Sequence, residues 1–170
     1  EQYLVLFLIR QSLASCRSKR SRNVARVTKY RTLLDENGHC KLVKERAVNY
    51  QREGTFDNPQ KIYRMLCDVF QHDRQSEEFL YLLCFNAKMK LLGVFEVSHG
   101  AACTTICSNR EIFQKALLCN ATCIVLAHNH PSGDVTPSET DVVTHGRVKQ
   151  ASEIMGVPLK DNLIVGDNCW

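Results

Sequence analysis

The segment Thr122-Cys123-Ile124-Val125-Leu126-Ala127-His128 restricts the fold more than any other part of the chain. It is apolar without alternation and carries β-branched Ile124 and Val125, so it reads as a strand buried on both faces. The flanking sequence supplies helical periods. Asn58-Pro59 offers an N-cap followed by proline in the first turn, with Ile62, Leu66, Val69 and Phe70 at helical spacing, which predicts a helix over about 59–73. Ser108-x-x-Glu111 forms a capping box ahead of Ile112, Phe113, Ala116 and Leu117, predicting a second helix over about 109–119. A third, over about 138–155, starts at Ser138-x-x-Asp141 and is closed by Gly156 and Pro158. Phe79 to Phe85 and Leu91 to Val97 read as paired strands around an Asn86 to Met89 turn, and Leu163 to Val165 as a last short strand. Residues 32–56 are polar and broken by Gly38 and Gly54, and read as irregular chain or a short edge strand. This order of elements predicts a mixed α/β domain.

A chain of 170 residues suits one domain and buries roughly 70% of its unfolded surface, enough for a core without disulfides or a structural metal. A metal here is then functional. Nine cysteines, an odd number, read as buried thiols of a reducing cytoplasm. The spacings Cys103/Cys107 and Cys119/Cys123 lack the CxxC form of a zinc knuckle and read as core or helix-face residues. Charge divides the chain at residue 34: residues 1–34 hold eight basic groups against Glu1, whereas residues 35–170 are slightly acidic. Residues 1–34 therefore read as a basic, solvated segment outside the domain, whose charge would suit nucleic acid or an anionic surface. The apolar run Tyr3 to Ile9 is far too short to span a bilayer, so no membrane role is expected. Leu13-Ala14-Ser15-Cys16 matches a lipoprotein box, but the basic stretch that should precede its apolar run is missing.

The chemistry concentrates where the buried strand ends. The chain there reads His128-Asn129-His130-Pro131-Ser132-Gly133-Asp134, then Pro137-Ser138-Glu139-Thr140-Asp141. Residues two apart on an extended chain project to one side, so His128 and His130 can reach one ion. Asp141, in the first turn of the next helix, can return to the same ion if the Pro/Gly loop folds back. Two imidazoles and one carboxylate leave a fourth position open, the arrangement of catalytic zinc. Taken singly, the histidines suit a surface, Asp141 a helix start and Ser138 an N-cap. On residues alone, a metal site and a set of unrelated features weigh about equally.

His-x-His, seven residues, then Ser-x-x-Asp resembles the JAMM signature of the JAB/MPN metalloprotease superfamily, and His128, His130, Ser138 and Asp141 fit it without a gap. The longer string HNHPSGD with PS and D after it resembles the RadC branch, over about Phe56 to Asp167. No helix-hairpin-helix region is read in residues 1–55, so the resemblance implies a short RadC-like form. It also implies a three-layer α/β/α JAB/MPN fold with a mixed sheet, similar to cytidine deaminases. Neither HxE nor PCxxC occurs, which argues against deamination. The pattern calls for an upstream glutamate on a strand, and Glu96 in Leu91 to Gly100 supplies one. Three positions depart from the family: Asn109 stands for a proline, Asn162 for a histidine, and His145 for a small polar residue.

The resemblance implies a zinc-dependent peptidase or isopeptidase with a peptide or protein substrate. His128, His130 and Asp141 would hold Zn2+, Glu96 would move the proton and Ser138 would donate to the oxyanion, with His99 near enough to Glu96 to line the cleft. Two other readings are a DNA-repair-associated factor binding DNA through residues 1–34, and a non-catalytic MPN scaffold. The sequence assigns no oligomeric state.

Overall fold

All seven residues of the strand Cys123–Asn129 are buried, and the rest of the fold is arranged to cover them. The computed structural model describes residues 24–100, 108–167 and 169–170. Its elements are β1 (Ala25–Leu34), β2 (Cys40–Tyr50), α1 (Pro59–Phe70), a short 3-10 turn (His72–Arg74), β3 (Glu78–Phe85), β4 (Leu91–Gly100), α2 (Asn109–Leu118), β5 (Cys123–Asn129), α3 (Glu139–Ile154) and β6 (Leu159–Val165). The six strands form one sheet in the order β2-β1-β4-β3-β5-β6. The β1/β4 and β5/β6 pairs are parallel and the others antiparallel, so the sheet is mixed.

Strand alternation gives each face its own core. On one face α1 lays Ile62, Met65, Leu66 and Val69 over Tyr81, Leu83, Val94 and Val125. On the other, α2 and α3 bring Ile112, Phe113, Ala116 and Val148 against Leu82, Phe95, Ile124 and Leu126. The result is the expected α/β/α sandwich. Full burial of side chains such as Leu82, Phe95 and Leu126 contributes about 1.5–3 kcal/mol each.

The helix starts follow local chemistry in two cases of three. Asn58 Oδ1 accepts from Gln60 N at 2.8 Å with Pro59 in the first turn, and Ser138 closes a reciprocal capping box with Asp141. The Ser108 box does not form: Ser108 makes no side-chain cap bond, and Glu111 faces Lys115 at 3.7 Å instead.

Two expectations for the N-terminal part need correction. Residues 32–56 hold the end of β1, the whole of β2 and irregular chain at 51–56, so of the two readings the edge strand holds and is longer than expected, as one arm of a hairpin. Gly38 is its turn, at φ +77°, and Asp35 Oδ1 accepts from both Asn37 N and His39 N. The polarity belongs to an edge strand with a wet side, where Glu45 of β2 reaches Lys29 at 3.6 Å and Arg31 at 3.9 Å. The boundary at residue 34 fails for the same reason. Ala25–Leu34 is strand β1, paired to β4 at Lys29↔Val94 and Tyr30↔Phe95. Ten residues of the expected tail are therefore sheet, and Lys29 and Arg31 are committed to ion pairs.

The other basic residues of the segment except Arg26, the Tyr3 to Ile9 run, the Leu13 to Cys16 box, and Cys103 and Cys107 lie outside the described residues. Cys119 is partly buried, Cys123 is buried, and both are free thiols. Among the described residues, no helix is long and apolar enough to cross a membrane.

Candidate metal centre

β5 delivers His128 at its end. The register His128↔Leu80↔Ser98 puts the imidazole on the α2/α3 side of the sheet. His130 follows, held to β6 by His130 N donating to Val165 O at 2.9 Å. The chain then doubles back in a turn closed by Gly133 N and His130 O at 2.9 Å, with Gly133 at φ +80°. A side chain at Gly133 would be strained there. The chain end braces this loop: Gly166 N donates to Cys169 O at 2.9 Å, and a Cβ on Gly166 would collide with the Gly133 carbonyl oxygen. The α3 capping box then presents Asp141.

Donor atoms of three residues converge, with both Asp141 carboxylate oxygens taking part. His128 Nε2 lies 3.1 Å from His130 Nε2 and 3.3 Å from Asp141 Oδ1, and His130 Nε2 lies 3.5 Å from Asp141 Oδ2. Tetrahedral zinc with bonds of 2.0–2.1 Å separates its ligands by about 3.3 Å, so these spacings fit one ion. The tautomer fits as well. His130 Nδ1 sits 2.6 Å from the Asp134 carbonyl oxygen, so the proton belongs on Nδ1 and the Nε2 lone pair points to the other two donors. The carboxylate accepts two hydrogen bonds on Oδ2, from Ser138 Oγ at 2.6 Å and Ser138 N at 2.8 Å, and Asp141 N donates back to Ser138 Oγ at 3.2 Å.

A fourth group completes the cluster, and it is Glu78, at the start of β3. One donor atom each of Glu78, His128, His130 and Asp141 lie within 4.8 Å of one another. Glu78 and Asp141 line the cleft on both sides of the cluster, one wall with Leu80, Ser98, His128 and Asn162, the other with His130, Pro131 and Ser138. Burial pushes the Glu78 carboxyl up, with Asp141 adding to this and His130 opposing it. Burial, reinforced by His130, also lowers His128 against the pull of Asp141, which favours the neutral imidazole a metal needs. For Asp141, burial works against the charge, yet the Ser138 hydrogen bonds and both imidazoles bring its pKa down.

The expected residues thus divide. His128, His130 and Asp141 come together. Glu96 does not join them: its register with Tyr81 and Ala127 puts it on the α1 face. There it meets Lys29 Nζ at 2.7 Å and His99 Nδ1 at 3.1 Å, so neither Glu96 nor His99 reaches the cleft. The physical reason is the pleat, which sends Glu78 and Glu96 to opposite sides of one β3/β4 pair. Ser138 lies at the site, where its hydroxyl donates to Asp141 Oδ2 at 2.6 Å. Of the family departures, Asn162 lines the cleft with Oδ1 buried and unpartnered, Asn109 Nδ2 donates to Arg147 O at 3.3 Å, and His145 is exposed on α3. Glu78 does carry a signal in the sequence. It opens an apolar strand, with Phe79 to Phe85 behind it, and the pairing of that strand with the His128 strand puts it beside the histidines.

Residues 56–170 match the family model described as RadC-like JAB domain. A UPF0758 protein of Clostridium perfringens is 34% identical over 129 residues, 76% of this chain and 56% of that one. One of Carboxydothermus hydrogenoformans is 40% identical over 113 residues, 66% of this chain and 49% of its own length. One of Caldanaerobacter subterraneus is 29% identical over 161 residues, 95% of this chain and 66% of that one. The chain spans about half to two thirds of the length of these relatives.

Proposed function

The chain belongs to the RadC-like JAB domain family, and from that premise we propose that it is a zinc-dependent hydrolase of the JAMM type, acting on an amide bond of a peptide or protein. The observation that carries this reading is the convergence of the His128 and His130 Nε2 atoms and the Asp141 carboxylate, at 3.1–3.5 Å, with Glu78 beside them. His128, His130 and Asp141 would hold the ion. Zinc there supplies Lewis-acid chemistry toward water and a carbonyl at neutral pH.

The chain's own residues do the rest. Glu78, partly buried and with a raised pKa, takes a proton from water and returns it to the leaving amine. Among the described residues no Lys or Arg lies within ion-pair distance of Glu78, so its carboxylate is available to move a proton. Ser138 and the Asp134 carbonyl hold Asp141 and His130 in their ligating orientations. A complete donor set with its supporting hydrogen bonds disfavours a non-catalytic scaffold, which would need neither. The free state of all six described cysteines supports a reducing compartment.

The test is metal analysis of the purified protein together with a peptide-hydrolysis screen of wild type against Glu78→Gln. Stoichiometric zinc in both proteins, with turnover in the wild type alone, is the expected result. Undiminished turnover by the variant, or a wild type that takes up no zinc, overturns the reading.

A further inference from the structure

Asn129 sits between the two histidines and is 2% exposed, with its side chain on the face opposite His128. Its Oδ1 accepts from Phe79 N at 2.8 Å and its Nδ2 donates to Glu77 O at 3.0 Å. Those two peptide groups bracket Glu78. The β3/β5 register runs from Phe85↔Cys123 to Leu80↔His128 and goes no further. Beyond it the Asn129 carboxamide takes over, joining the two strands where the backbone of β5 turns away toward Pro131. On the other side, Glu78 is held only by the last pair of the β3/β4 ladder, Glu78↔Gly100.

We propose that Asn129 is a positioning residue that fixes the start of β3 against β5 and so aims the Glu78 carboxylate at the donor atoms of His128, His130 and Asp141. The inference rests on the metal-site reading above. It follows from the bonding capacity of the side chain. The job needs one acceptor and one donor at the reach of a short amide, and of the side chains this small only asparagine offers both in fixed geometry. Aspartate keeps the acceptor for Phe79 N–H and loses the donor for Glu77 C=O. Serine and threonine are too short to bridge both groups. One tripeptide thus serves two purposes: His128 and His130 reach the ion, and Asn129 reaches the residue that works beside it.

The experiment uses the full chain loaded with cobalt(II), whose visible absorption band reports the surroundings of the ion. Wild type, Glu78→Gln, Asn129→Ala and the double variant are titrated with pH, and the melting temperature of each metal-free protein is measured alongside. The expected result is a pH midpoint moved by at least about one unit in Glu78→Gln, a tenfold change in proton affinity. Asn129→Ala should move it in the same direction, and the double variant no further than Glu78→Gln alone. Asn129→Asp should fall between wild type and alanine, and it replaces the alanine variant throughout if that one does not fold. A wild-type midpoint in the Asn129 variants, additive shifts in the double variant, or an unmoved midpoint in Glu78→Gln overturns the inference while leaving the metal site standing. A wild type that binds no cobalt overturns the metal reading, and the inference with it.

Discussion

Two glutamates stand on the β3/β4 pair, one on each face of the sheet, and the fold treats them differently. Glu96 lies on the α1 face among groups that satisfy it, with Lys29 at 2.7 Å, His99 at 3.1 Å and the Lys29 ammonium itself 5.9 Å above the Tyr81 ring. Glu78 lies on the α2/α3 face beside two imidazoles and a second carboxylate. Burial next to another acid raises its pKa, and a cation between the four groups would relieve the repulsion. A carboxylate with its own lysine is part of the scaffold. One that makes no ion pair with Lys or Arg among the described residues and lies with two imidazoles and a second carboxylate has the surroundings of a metal ligand set.

The strongest way to break this contrast is to remove a ligand from one side. His128→Ala should abolish stoichiometric zinc while the sheet persists, and zinc analysis with circular dichroism checks it. A His128→Ala protein that still binds one zinc per chain would remove His128 from the ligand set. The next effect in size is Glu78→Gln, expected to lower peptide hydrolysis at least about 100-fold with zinc retained, in the range of general-base removal. Glu96→Gln should leave turnover within a factor of about three, and parallel kinetics of the two variants decides which glutamate works.

The α1 face makes a prediction of its own through His72. This ring is fully buried against Tyr81, and burial, reinforced by His128 and opposed by a backbone interaction with Ala127, lowers its pKa from 6.5 to about 3. The unfolded chain takes up the proton below pH 6.5 and the folded protein does not, so this stability is complete above pH 6.5 and drains away as pH falls toward 3. Between pH 6.5 and pH 4 the loss should be about 3 kcal/mol. Urea unfolding of His72→Phe across that interval should show a smaller loss than wild type, and equal pH slopes would exclude His72 as the cause.

Smaller again is Ser138→Ala. The lost helix cap should cost about 1 kcal/mol, and release of Asp141 should weaken zinc binding at least about 10-fold. Denaturant titration and chelator competition measure the two effects separately. Least of all is the stability change in Glu96→Gln, below about 1 kcal/mol because the Lys29 pair is partly exposed.

Much of this was legible in the residues. Asn58-Pro59, the unalternating Cys123 to His128 run and the Ser138/Asp141 box each rest on interactions within a few positions, and each appears where its chemistry put it. The β1/β2 hairpin was harder to read, because an edge strand with a wet side and cross-strand ion pairs has the composition of a loop. The same holds for residues 25–34, whose charge suggested a tail until pairing with β4 and Glu45 gave Lys29 and Arg31 partners. Ser108 looked like a cap and makes no cap bond with its side chain, since a capping box also needs the right rotamer and entry angle.

The sequence by itself determined the mixed α/β class and the buried strand, because these depend on local periodicity, and it brought out His128, His130 and Asp141 as candidate donors that the resemblance to the JAMM signature favoured over unrelated features. Which glutamate accompanies them was decided only by tertiary structure. Glu78 and Glu96 are both acids on apolar strands, and nothing local separates them. The separation comes from the pairing of β3 with β5, since the pleat of one sheet sends alternate residues to opposite faces and leaves one of the two beside the histidines.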